Sequence, residues 1–129
     1  MKIQVQVIND GIIIIEGLQS AKESRMVAND REQRYLENLA KGKFFERTLE
    51  GLIRNINRAS DRGDLEVWTS GYGDAYSPLR SKDPQEFKAM EKIIKNQVFS
   101  ILCQQGYTCA VERDSFASGE QFFTIHVSW

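Results

Sequence analysis

Two stretches of this chain follow one plan: apolar residues at helical spacing, then a glycine, then residues that alternate as in a strand. In the first, Phe45, Leu49, Leu52, Ile53, Ile56 and Ala59 recur at steps of three and four. Gly63 follows, and residues 64–70 set Leu65, Val67 and Thr69 against Glu66 and Trp68. In the second, Phe87, Met90, Ile94, Val98, Ile101 and Leu102 precede Gly106 and a strand over residues 107–112. Apolar residues near a 3.6-residue period line one side of a helix, and a period of two lines one side of a strand. Glycine suits the left-handed position that closes a helix. Each element therefore has one face to bury, and the economical solution buries them against each other as a sheet with helices on one face. Residue identity between the stretches is low, so the likeness is one of packing and not an internal repeat.

The remaining segments extend this scheme. Residues 2–8 alternate Ile3, Val5 and Val7 with Gln4 and Gln6. Asn9-Asp10-Gly11 is a turn triplet, and Ile12–Ile15 are four β-branched residues in a row, which together predict a hairpin ending near Gly17. Residues 20–40 are mostly good helix formers with scattered apolar positions (Met26, Val27, Ala28, Tyr35, Leu36, Leu39). They predict a helix with a narrow buried stripe and a breakpoint at Asn29-Asp30. Gly42 marks a joint. Residues 71–82 form a loop long for a compact domain. Asp83-Pro84-Gln85-Glu86 is a helix start with a capping box. After the turn residues Ser118 and Gly119, residues 121–129 place Phe123, Ile125, Val127 and Trp129 on one face and Phe122, Thr124, His126 and Ser128 on the other. The expected order is β-β-α-α-β-α-β-β in a single α+β domain spanning residues 1–129, mainly an antiparallel sheet with helices on one face. The strands near Leu65 and Val111, joined through a helix, are expected to run parallel.

A chain of 129 residues with 41% hydrophobic and 10% aromatic content can build one core unaided. Its net charge of −1 removes the commonest electrostatic argument for nucleic-acid binding, a strongly basic surface. The alternating N-terminus does not read as a signal peptide, and no apolar run is long enough for a membrane span. A cytoplasmic protein is expected, with no membrane partner. Cys103 and Cys109 read as buried, reduced thiols; no Cys/His cluster supports a metal, and no cofactor is implied.

Catalytic motifs are missing from the sequence: there is no G-x-S-x-G, H-E-x-x-H, P-loop or complete G-x-G-x-x-G pattern. Gly71-Tyr72-Gly73 supplies only the first half of the last of these. His126 is the single histidine and reads as a sheet-surface residue, with Cys103, Cys109 or Ser115 as a partner only by coincidence of folding. Glu46 and Glu50 read as a solvated helix face bridging to Arg47, Arg54 or Arg58. Catalytic residues are therefore not expected. Contact residues are. Trp68, Tyr72, Asp74 and Tyr76 lie on or beside the glycine-containing loop, where rings can bury area while keeping a polar end in water. The plainer alternative folds these rings back over the sheet edge. The row Arg47, Arg54, Arg58, Arg62 offers a second surface, with Arg54 and Arg58 as candidates for phosphate. The last strand, ending in Trp129, reads as an edge open to pairing or to a homodimer.

The segment from residue 93 onward, a helix closing on Gly106-Tyr107, a strand, a turn and a final strand ending Ile125-His126-Val127-Ser128-Trp129, resembles small accessory proteins of bacteriophages and prophages. The likeness covers under a third of the chain and rests on packing residues, so no functional residue is carried over. It implies a non-catalytic binding protein, phage or mobile-element encoded. Such a protein acts in the host cytoplasm by inhibiting or modulating a host protein, an anti-phage defence protein among them. Behind that reading stands capture of a small ligand or nucleotide through Arg54 and Arg58. Nucleic-acid binding or a part in phage assembly follows.

Overall fold

The computed structural model describes residues 2–6, 12–16, 20–73 and 77–129, the first two stretches as backbone only. The chain divides into two compact units, Met1–Gln33 and Arg34–Trp129.

In the first unit, β1 (Lys2–Gln6) and β2 (Ile12–Glu16) pair antiparallel, Lys2 opposite Glu16 and Gln6 opposite Ile12, as the alternation predicts. The turn triplet of residues 9–11 lies outside the described residues. Helix α1 (Ala21–Lys41) begins here and runs without a break through Asn29-Asp30. The predicted stripe fails in its first half: Met26 and Val27 are exposed. Only Leu36 and Leu39, further along and in the second unit, pack against a core.

The second unit carries α2 (Phe44–Asp61), β3 (Glu66–Ser70), β4 (Arg80–Ser81), α3 (Pro84–Ile93), a π-helical segment (Ile94–Val98), α4 (Phe99–Gln104), β5 (Thr108–Ser115) and β6 (Gln121–Ser128). Its sheet is antiparallel, and the architecture is α+β as expected. β6 is the central strand: β5 pairs along all of one side, and β3 and β4 share the other. The final strand is thus not the edge its terminal position suggested, because both of its hydrogen-bonding sides are occupied. β3 and β5 each run antiparallel to β6 and so parallel to one another, with β6 between them.

Both helix–glycine–strand stretches close in the same way. Gly63 and Gly106 stand at φ +83° and +94°. The N–H of Asp64 donates to the Ala59 carbonyl and that of Gly63 to Ser60; likewise Tyr107 donates to Leu102 and Gly106 to Cys103. These are Schellman caps, in which the left-handed residue turns the chain out of the helix and directly into a strand. At the start of α3, Asp83 accepts from the N–H groups of Gln85 and Glu86, and Pro84 occupies the first turn, as predicted. The capping box differs: the N–H of Asp83 donates to Ser81 Oγ at 3.1 Å, and Ser81 Oγ–H reaches Glu86 at 3.1 Å. Ser81 takes the contact that Glu86 was expected to make.

The core lies between the helices and one face of the sheet. Phe123, Ile125 and Val127 meet Leu52, Ile56, Phe87, Met90, Ile94, Val98 and Leu102, and Phe87 stacks on Phe123 with centroids 3.8 Å apart. Three apolar residues of the predicted buried faces in this unit are displaced: Ile53, Ile101 and Leu65, which precedes β3 and is exposed. On α2 the buried positions are Phe44, Thr48, Leu52, Ile56 and Ala59, and Ile53, rotated past that stripe, is 44% exposed. Ile101 is exposed too, because the wider π turn rotates Leu102 into the core position.

Candidate functional site

The loop after β3 leaves and rejoins the sheet at one point. Gly71 N–H donates to the Phe123 carbonyl, and Phe123 N–H donates to the Leu79 carbonyl, both at 2.9 Å. The chain thus leaves the sheet after Gly71 and rejoins it at Leu79, where β3 and β4 would otherwise be one continuous strand. The predicted twelve-residue loop is shortened because Arg80 and Ser81 pair with Phe122 and Gln121. The ends of the loop approach so closely that a Cβ on Gly71 would lie 2.7 Å from the Leu79 carbonyl oxygen. Only glycine fits there without a shift.

The face of the sheet opposite the helices carries the exposed aromatics. Residues paired across strands point the same way, so Glu66, Trp68 and Ser70 of β3, Phe122, Thr124, His126 and Ser128 of β6, and Ala110, Glu112 and Asp114 of β5 share it. Trp68 stacks on His126 with centroids 4.2 Å apart, and Glu66 holds His126 Nε2 at 3.1 Å. Ser70 and Thr124 share a hydrogen bond of 2.9 Å. At the loop end, Tyr72 stacks on Phe116 and tilts against Phe122. The Arg80 guanidinium lies 4.4 Å over Phe116 and is fixed by two bonds to Glu120. Trp68 remains 54% exposed and Tyr72 66% exposed. Tyr72 does lean back onto the sheet, yet most of its surface stays in solvent.

Of the four predicted contact residues, Trp68 and Tyr72 lie on this one face, while Asp74 and Tyr76 fall outside the described residues. His126, Phe116 and Phe122 join them. The alternation of residues 121–129 already put Phe122 and His126 on the non-core side; Phe116, in the turn that precedes them, gave no such signal. Among the described residues no group of three or more His, Cys, Asp or Glu could hold a metal ion. His126 bonds to Glu66 and stacks on Trp68, with neither cysteine nor Ser115 as its partner.

The arginine row occupies a different place. Arg47, Arg54 and Arg58 line a cleft of about 460 Å³ between α2, β3 and the loop end, together with Thr48, Trp68 and Ser77. Arg62 leaves the row by pairing with Asp64 at 3.2 Å. The expected bridges from Glu46 and Glu50 are not made: among the described residues Arg47, Arg54 and Arg58 form no ion pair. Asn55, beside Arg54, donates to Thr69 Oγ1 at 2.9 Å and ties α2 to β3.

Cys103 is exposed at the end of α4, contrary to the expectation of burial, and Cys109 is half-buried on β5; both are free thiols. Burial, and then Cys103 beside it, push the Cys109 thiol up to about 11. Among the described residues no helix is long and apolar enough to cross a membrane. Comparison with protein-family models, curated proteins and solved structures gives no match.

Proposed function

We propose that this chain is a non-catalytic binding protein that docks a partner protein on the open face of its sheet, with Trp68 and Tyr72 as anchors. The reading rests on one observation: a face free of helices in the Arg34–Trp129 unit that keeps two large rings exposed along a rigid strand framework. Rings held by their neighbours lose little freedom on binding, which favours them as interface centres. The carboxylates of Glu66, Glu112 and Asp114 on the same face are exposed, so the complementary surface carries Lys or Arg around an apolar centre. That acidic border also disfavours a nucleic-acid backbone there. The resemblance of the C-terminal part to phage and prophage accessory proteins makes a host protein, a defence protein among them, the partner proposed.

The test compares capture from host lysate by the native chain and by the Trp68→Ala/Tyr72→Ala double variant. One protein held by the native chain and lost from the variant, with affinity falling as salt rises, is the expected result. A partner retained equally by both chains removes the open face from the account. Turnover of a substrate by the purified chain would remove the non-catalytic reading.

A further inference from the structure

We propose that the cleft between α2 and β3 is a binding site for a nucleoside phosphate, its phosphates on Arg47, Arg54 and Arg58 and its ring beside Trp68. The inference does not rest on the protein-docking reading, although Trp68 serves in both.

Geometry comes first. At 100° per residue, positions seven and eleven after Arg47 return to within about 20° of it, so the three arginines share about 40° of helix circumference. They lie along roughly 16 Å of the helix axis at 1.5 Å per residue. Each guanidinium carries several N–H donors and a fixed charge, the chemistry that phosphate oxygens match. Such groups are usually drawn to nearby carboxylates; among the described residues none lines this cleft, although Glu50 and Asp61 share the adjoining surface with Arg54 and Arg58. Three like charges are therefore gathered with no ion pair of their own among the described residues, which favours an anion among them.

The second observation is independent of charge. Thr48 is 3% exposed, and its hydroxyl has no hydrogen-bond partner. A helical threonine can return its hydroxyl to the preceding turn, and a buried hydroxyl left without a partner is unfavourable. Thr48 lines the same cleft as the arginines. Its oxygen is shut off from solvent, so a phosphate oxygen would accept its O–H once the side chains over it move aside.

The ring contact follows from position. β3 has a neighbour on one side only over Glu66–Ser70, so Trp68, on the outer strand, lines the cleft as well as the open face. His126 takes one side of the indole. The volume of about 460 Å³ lies within the range of small-ligand sites, roughly 300–1,000 Å³.

Titration calorimetry and Trp fluorescence with ATP, AMP, adenosine and inorganic pyrophosphate, at low and physiological salt, test the site. ATP is expected to bind saturably and quench Trp68, with adenosine at least tenfold weaker. Arg54→Gln and Arg58→Gln should each weaken ATP at least tenfold, and Thr48→Val several-fold, with the circular-dichroism melting curve of each variant as the check on folding. Pyrophosphate as tight as ATP, with no quenching, would overturn the ring contact. No saturable binding at millimolar ligand, or ATP affinity unchanged in the Arg54→Gln/Arg58→Gln double variant, would overturn the site. So would an oligonucleotide bound much more tightly than ATP with a steep salt dependence, since that identifies a polymer backbone.

Discussion

Along β6, Phe123, Ile125 and Val127 are shut off from solvent, whereas Thr124, His126 and Ser128, each one step away, keep part of their surface in water. One strand thus serves two purposes at a period of two. The covered face gains its stability from apolar burial, about 25 cal/mol per Å² removed from water. The open face is held by small polar pairs, Ser70 with Thr124 and Glu66 with His126, worth about 0.2–1 kcal/mol each, and at its loop end by the rings of Phe122, Phe116 and Tyr72. The difference teaches that the open face borrows its rigidity. Its side chains are presented by a backbone that the other face fixes, so they can change without unfolding the protein.

The largest expected effect lies on the covered side. Phe123 is fully buried and stacked on Phe87, so Phe123→Ala should lower unfolding free energy by about 3–5 kcal/mol, read from urea denaturation. A loss below about 1 kcal/mol would mean that the face is loosely packed and the comparison misdrawn. Next comes the seam between sheet and loop. Gly71→Ala places a methyl 2.7 Å from the Leu79 carbonyl oxygen, and the backbone must yield. A loss of about 1–3 kcal/mol is expected, with the amides of Gly71 and Phe123 exchanging faster with deuterium. Unchanged exchange at both would show that the loop is not pinned there. On the open face, Trp68→Ala removes a ring that stacks on His126 and is 54% exposed, and should cost about 1 kcal/mol or less in the same urea measurement. A loss comparable to that of Phe123→Ala would show that the open face is a second core.

Much of this division could be read from residues alone, because it follows from local rules. Alternation assigned every side chain of β6 to its face, and glycines after two amphipathic runs located both helix ends. Trp68 and Tyr72 were legible for the same reason: one followed from strand parity, the other from a glycine-bordered loop. What failed was non-local. The centrality of β6 depends on β3 and β4 finding its second side, and two residues, Arg80 and Ser81, carry too little pattern to announce a strand. The π segment Ile94–Val98 shifts the helix phase, which an ideal 3.6-residue period cannot anticipate, and Ile101 was misplaced as a result. Thr48 went unnoticed because a lone hydroxyl beside arginines has no sequence signature. Its meaning lies in the bond it does not make. Arg47 was in reach of arithmetic, since seven residues close almost two turns, but that the three arginines make no ion pair among the described residues required knowing that Glu46 and Glu50 stay unbridged.

The smallest expected effect tests how completely the covered side is closed at β5, the outer strand. Cys109 pairs with Val127 and so points toward the helices, while Ala110 beside it faces out. Desolvation is the leading reason that its thiol rises from an ordinary value of 9.0 to about 11, with Cys103 adding to it. A raised value means that the folded state holds the proton more tightly than the unfolded one. Its stabilising contribution is therefore full below about pH 9 and is lost as pH climbs through about 11. Urea midpoints between pH 8 and 11 should fall more steeply for the native chain than for Cys109→Ala. At pH 8 only about one Cys109 in a thousand is thiolate, so iodoacetamide should label exposed Cys103 first and Cys109 far more slowly. Equal labelling of the two, followed by mass spectrometry, would place the β5 edge in water and confine the closed face to β6 and β3.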